Sequence, residues 1–186
     1  MTVRETPVGN VVWERHILDN KYFPVLERRI EALDGAERPS QLVWDRRGRQ
    51  SAIAVTLDRN SNLVLVQEPK YGVLRLMTSA PTGGIKAGEH PLDAAKRELL
   101  EETGYASSDW RPVPVKPLVD FADKIDGGEH IIWCAQSAHQ IKPPRDPQQR
   151  LVLASRERLF RYIMPSGNMP AMSIAAIMLT LEHFQL

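Results

Sequence analysis

The sequence predicts a mixed α/β layered domain, and three observations carry that expectation. Strand-like runs divided by turn residues fill most of the first 80 or so positions. A charged helix pattern then follows a Gly-rich loop near mid-chain, and an apolar helix pattern closes the chain. That order suits a sheet covered on its faces by helices. At the start, Val11-Val12-Trp13 opens a short strand. Pro24 suits the first turn of a helix whose Leu26, Ile30 and Leu33 share one side, and Gly35 stops it. Residues 41–44 and 51–57 read as strands flanking the turn Asp45-Arg46-Arg47-Gly48. The turn Asp58-Arg59-Asn60-Ser61-Asn62 leads into the compact apolar strand Leu63-Val64-Leu65-Val66, and residues 73–78 form another strand.

The composition then changes. Pro81-Thr82-Gly83-Gly84 and Lys86-Ala87-Gly88 make a Gly-rich loop, followed by a helix over residues 91–103 that Gly104 closes. Strands are expected at 113–121 and 129–136. Lys142-Pro143-Pro144-Arg145-Asp146-Pro147 reads as a rigid, exposed loop. Residues 151–154 return as a strand. Helices over 156–163 and 171–184, separated by Pro165-Ser166-Gly167, end the chain.

The bulk properties exclude several classes. With 186 residues, the chain supports one core with additions, since a domain commonly takes about 150 residues. A 42% hydrophobic and 25% charged composition argues against disorder. The 24 Lys and Arg nearly balance 23 Asp and Glu, so no global field recruits nucleic acid or an acidic membrane. The one cysteine, Cys134, cannot form an internal disulfide or a cysteine zinc site, and reads as a small buried apolar residue. No secretory-type apolar start and no apolar run of about 18 residues is visible. The expectation is a cytoplasmic protein with neither a membrane nor a nucleic-acid partner.

The densest chemistry lies in GGIKAGEHPLDAAKRELLEETGY, from Gly83 to Tyr105. At about 100° per residue, Glu98, Glu101 and Glu102 fall on one helix face, with Leu92, Ala95 and Leu99 beside them to anchor it. Three like charges on one face repel. A divalent cation relieves that repulsion, and hard carboxylate oxygens suit Mg²⁺ or Mn²⁺. A plain solvated acidic face is the competing reading of these residues alone.

The spacing decides between them. Gly83, five residues, Glu89, seven residues and then Arg97-Glu98-Leu99-Leu100-Glu101-Glu102-Thr103-Gly104-Tyr105 matches the Nudix box, G-x5-E-x7-R-E-U-x-E-E-x-G-U. A chance match is on the order of 10⁻⁸ per start point at ordinary residue usage. The chain resembles the Nudix hydrolase family. The resemblance implies an α/β/α sandwich with a mixed β-sheet and an N-terminal antiparallel β extension. Residues 1–50 would form the extension and 51–186 the hydrolase domain.

The resemblance also implies roles. Glu98 and Glu102 match the principal metal ligands, Glu101 joins them, and the carbonyl of Thr82 is a further ligand. Arg97 matches the arginine that orients a box glutamate, and Glu89 is a helper in the loop. The reaction implied is Mg²⁺-dependent cleavage of a diphosphate, with Mn²⁺ a possible substitute.

The flanks resemble the ADP-ribose and nucleoside diphosphate sugar pyrophosphatases. Leu63 through Tyr71 is similar to their strand ending in Val-x-Gln-Tyr-Arg, and Pro81-Thr82-Gly83-Gly84 to their Pro-Ala-Gly-Gly loop. Lys70 stands where the branch carries arginine. The loop before the last strand, where many relatives place a catalytic glutamate, offers Asp146. Asp146, Glu129 or a box glutamate is therefore the candidate base. The four-cysteine zinc site of NADH-cleaving members is absent. The catalytic candidates are Glu98, Glu101, Glu102, Arg97 and Asp146. Lys70, Arg47, Gly83, Gly84 and Glu89 are the substrate-binding candidates.

A homodimer is implied by the same resemblance. Trp13, Tyr22, Phe23 and Trp44 are candidates to stack on a base, although core packing is the commoner fate of large aromatics. Arg46, Arg47, Arg49 and Lys70 are candidates to meet phosphates. The substrate expected is a small nucleotide sugar. A Nudix hydrolase of another nucleotide (dinucleotide or nucleoside triphosphate) and a non-catalytic nucleotide-sensing module are the alternatives.

Overall fold

The computed structural model describes residues 4–7, 9–21, 23–36, 39–120, 122 and 124–186. In chain order the strands are β1 (Arg4–Thr6), β2 (Gly9–Leu18), β3 (Val25–Ala32), β4 (Gln41–Asp45), β5 (Ser51–Asp58), β6 (Leu63–Lys70), β7 (Arg75–Ser79) and β8 (Thr82–Gly84). Helix α1 (Pro91–Thr103) precedes β9 (Tyr105–Ala106), β10 (Asp109–Pro112), β11 (Leu118–Val119), β12 (Ile125–Asp126), β13 (Glu129–Gln140) and β14 (Arg150–Ala154). The chain ends in α2 (Arg156–Arg158), a π-turn Leu159–Ile163, a 3₁₀ turn Met164–Ser166 and α3 (Ala171–Phe184). The fold is mixed α/β. Among the described residues no helix is long and apolar enough to cross a membrane.

Two compact units form: Met1–Arg49 with Val119–Glu129, and Gln50–Leu118 with His130–Leu186. In the first, the sheet runs β1-β2-β3-β4-β12, antiparallel except that β12 joins β4 in parallel. The segment Val119–Glu129 thus belongs to the first unit, where Ile125 pairs with Trp44. The helix expected after Pro24 is instead strand β3, paired on both sides by β2 and β4. Leu26 and Ile30, four apart, fit either a helix face or one side of a strand. Arg28 between them decides. It stands opposite Glu14 on β2 and pairs with Glu14 and Asp126, which suits alternation on one strand face. Leu33, read as part of a helix face, is 76% exposed beyond the strand.

The second unit holds the mixed sheet, with central path β10-β13-β5-β6-β14. β5 runs parallel to β13 and antiparallel to β6 and β8. All eight β5 residues are buried, as expected of a strand covered on both faces. Alternation then sorts its side chains. Ala52 and Ala54, with Val64 of β6, pack with Ala94, Ala95 and Leu99 of α1. Ile53, Val55 and Leu57, with Leu63 and Leu65 of β6, pack with Leu159 and with Ile177 and Leu181 of α3. The sheet of this unit is therefore sandwiched between α1 and α3. Each large aliphatic buried here contributes roughly 1.5–3 kcal/mol. On β5, small side chains line one face and large ones the other.

Three further elements depart from the sequence expectation. The strand expected at 113–121 is not continuous; β10 precedes it and only β11 lies within it, because Pro114 and Pro117 remove backbone donors. Phe121, its expected end, lies outside the described residues. The helix expected at 156–163 is one α-turn that widens into a π-turn, capped by the Ser155 hydroxyl accepting from the Arg158 amide at 3.2 Å. β13 runs on to Gln140, past a register shift between Ala135 and Ala138 where Ser137 adopts a positive φ. Cys134 is buried, and burial pushes its thiol up to about 11.

Candidate active site

Helix α1 is fixed at both ends by its sequence. The His90 imidazole Nδ1 accepts from the Leu92 amide at 3.2 Å, and Pro91 occupies the first turn, where no amide partner is needed. At the other end Gly104 takes φ 75° and donates to the Leu100 carbonyl at 3.1 Å. A β-carbon there would stand 1.7 Å from the Lys142 carbonyl oxygen. Ala94, Ala95, Leu99 and Thr103 form the buried face. Arg97, Glu98, Glu101 and Glu102 are left on the others.

Arg97 is the hub. Its Nε and Nη2 fork onto the two oxygens of Glu89 at 2.8 and 2.9 Å, Nη2 also donates to the Gly84 carbonyl at 2.9 Å, and Nη1 pairs with Glu98. Such a planar fork fixes geometry as well as charge. Arg97, followed by the Lys86 amide at 2.9 Å, holds the Glu89 carboxyl down at about 2. The loop from Gly84 to Glu89 is thereby tied to the helix. Glu98 itself lies on the backbone of Gly83, where a β-carbon would fall 1.9 Å from its Oε1.

Glu102 accepts from the Thr82 amide at 3.2 Å. Burial first, then the negative charges of Glu68 and Glu98, push its carboxyl up to about 8. Glu68 is the residue that sequence reasoning missed. Alternation places it on the β6 face of Val64 and Val66, the face that meets α1, beyond the buried end of that strand. Lys70 pairs with it, and Gln149 Nε2 donates to its Oε2 at 3.0 Å. Arg145 meets the remaining box carboxylate, with Nη1 2.9 Å from Glu101 Oε2.

The other candidates have contacts of their own. Asp146 uses its carboxylate within its own turn, accepting from the Gln148 amide at 2.9 Å. Arg47 and Glu129 belong to the first unit, and Arg47 pairs there with Asp19. Phe23 stacks on Trp44 with ring centres 4.6 Å apart, and Arg46 lies over Trp44 at 5.1 Å. Arg15 lies over Trp13 at 5.6 Å, while Arg49 donates to the Lys21 carbonyl at 3.2 Å. Tyr22 lies outside the described residues.

The donor chemistry suits a hard divalent cation. Glu98, Glu101, Glu102 and Glu68 supply carboxylate oxygens, and the two negative neighbours that raise Glu102 mark an excess of negative charge. Among the described residues no three acidic, histidine or cysteine side chains converge as a ready chelate. Instead Glu98 turns to Arg97, Glu101 to Arg145 and Glu102 to the Thr82 amide. Each carboxylate would have to trade or share a partner to hold an ion.

Comparisons with known proteins point to one family. The NUDIX domain description matches residues 47–159. An RNA pyrophosphohydrolase of Bartonella bacilliformis is 54% identical over 37 residues, 20% of this chain, and the match spans only 22% of that protein's length. The crystal structure of an ADP compounds hydrolase matches over 98% of this chain and 97% of its own, with a TM-score of 0.82 at 20% identity. That last likeness is one of fold.

Proposed function

This chain belongs to the NUDIX family, and from that premise we propose that it is a pyrophosphohydrolase acting on ADP-ribose or a related nucleoside diphosphate sugar. The products would be a nucleoside monophosphate and a sugar phosphate. The observation that carries the hydrolase part of this reading is the seating of Glu98 on Gly83 beside Glu102, with Arg97 locking Glu98 from behind. Glu98 and Glu102, with Glu101 and the Thr82 carbonyl, would hold Mg²⁺, for which Mn²⁺ is a substitute. Held by these residues, such an ion would supply a nucleophilic water at neutral pH and would neutralise charge on the leaving phosphate.

The chain's own residues do the positioning. Arg97 and Glu89 keep the Gly83–Glu89 loop against α1, and the Thr82 amide orients Glu102. Gly83 makes room for Glu98, while Gly84, with open space beside it, lets the backbone come close to a diphosphate. We assign proton removal from the attacking water to a box carboxylate, with Asp146 as alternative, because Asp146 is engaged by Gln148. Lys70 and Arg47 remain candidates for phosphate contact once released from Glu68 and Asp19. The same reading takes residues 1–50 as a dimerisation and substrate extension of a cytoplasmic homodimer, which light scattering would test.

The deciding experiment is a panel of nucleoside diphosphate derivatives, dinucleotides, nucleoside triphosphates and 5′-triphosphorylated RNA, each with Mg²⁺. Release of a nucleoside monophosphate from the diphosphate sugars, faster than any other turnover, is the expected result. Faster turnover of another group would move the substrate class. Nucleotide binding without turnover would make the chain a sensing module.

A further inference from the structure

We infer that Arg145 is a further positioning residue for the substrate phosphates, parked on Glu101 until a divalent ion takes over that carboxylate. The inference rests on the function proposed above.

Its first support is an anchored backbone carrying an exposed side chain. The Arg145 amide donates to the Glu101 carbonyl in the last turn of α1 at 2.8 Å, and Pro143, Pro144 and Pro147 stiffen the chain around it. Gln149 ties the same loop to Glu68 at 3.0 Å, and the Tyr71 hydroxyl lies 3.2 Å from Gln148 Oε1. The Arg145 side chain, by contrast, is 72% exposed. Its ion pair with Glu101 is exposed enough to be worth little, about 0.2–1 kcal/mol. A guanidinium on a fixed Cα can therefore swing at small cost.

The second support is competition among the cations. Arg97 is committed to Glu89, Glu98 and the Gly84 carbonyl, and its side chain is 19% exposed. Lys70 pairs with Glu68, and its single ammonium lacks the fork that matches two phosphate oxygens. Glu101 also lies 4.0 Å from Arg97, so a cation stays near it when Arg145 swings away. When Glu101 turns to a divalent ion, Arg145 loses its partner beside the place where the diphosphate must lie. A planar guanidinium then matches two phosphate oxygens at once.

The test uses the full chain with Arg145→Gln and Arg145→Lys. Mn²⁺ alone is titrated calorimetrically, without substrate. The weak competing ion pair predicts that Arg145→Gln binds Mn²⁺ about two- to fivefold more tightly than wild type. With the best substrate of the panel, Arg145→Gln should raise KM about tenfold while kcat stays within about threefold, and Arg145→Lys should recover part of the loss. Unchanged Mn²⁺ affinity together with unchanged KM overturns the proposal, as does a fall in Mn²⁺ affinity. Should wild type turn over no member of the panel, the functional reading fails. The Mn²⁺ titration then still decides whether Arg145 competes for Glu101.

Discussion

The carboxylate of Glu98 rests directly on Gly83, so a β-carbon at position 83 would stand 1.9 Å from Glu98 Oε1 and 2.0 Å from its Cδ. The contact makes a test. Gly83→Ala should push Glu98 off its seat while leaving the buried face of α1 untouched. Activity is expected to fall about 10- to 100-fold, as for lost partners of a metal ligand, with little change in melting temperature. Full activity in Gly83→Ala would show that the seat is unimportant.

Arg97 makes a bidentate contact that an ammonium cannot copy. Arg97→Lys keeps the charge and loses the fork to Glu89 and the bond to the Gly84 carbonyl. We expect activity to drop about 10- to 100-fold, and exchange of the amides between Gly84 and Glu89 to quicken in hydrogen-exchange measurements. Unaltered exchange would mean the loop is held by other contacts.

Glu102 sets a pH dependence. Its carboxyl is raised from 4.5 to about 8, so between those values the folded protein binds more protons than the unfolded chain. Stability of the metal-free protein should therefore fall as pH rises through that window, and Mg²⁺ should restore it by binding the ionised folded form. Glu102→Gln should flatten the slope and lose turnover by about 100-fold or more. Melting curves from pH 5 to 8, with chelator and with Mg²⁺, read both effects. A melting temperature that climbs with pH in chelator would contradict this account.

At the C-terminal end of α1, Gly104 combines φ 75° with a carbonyl in the path of any side chain. Gly104→Ala should destabilise the fold by more than about 1 kcal/mol, because the left-handed conformation and the Lys142 carbonyl both oppose a methyl group. Denaturant unfolding would show the loss. A wild-type midpoint would imply that the 141–143 backbone shifts freely.

Helix α1 was legible because its punctuation is local: Pro91 at the start, Gly104 at the end, and alanines and leucine at helical spacing between them. The box spacing likewise pointed to Glu98, Glu101 and Glu102. What escaped the sequence was non-local. Strand β3 reads as a helix in the sequence because Leu26 and Ile30 satisfy both periods, and only the partners of Arg28 on Glu14 and Asp126 separate them. Glu68 was hidden since its closeness to Glu102 follows from the register of β6 beneath α1. Continuing the alternation Val64, Val66, Glu68 would have flagged it. The pairing of Arg145 with Glu101 depends on a loop returning to the helix end, which composition cannot foretell.

Where α1 rests on β5, the contact is made largely of methyl groups: Ala52 and Ala54 below, Ala94 and Ala95 above. Side chains this short have no rotamers with which to absorb an insertion. Enlarging any of them would lift the helix bodily, and the carboxylates would rise with it away from Gly83 and Thr82. Chemistry at the surface is thus gauged by the thinnest layer of the interior, and a core change too mild to unfold the protein would still silence it.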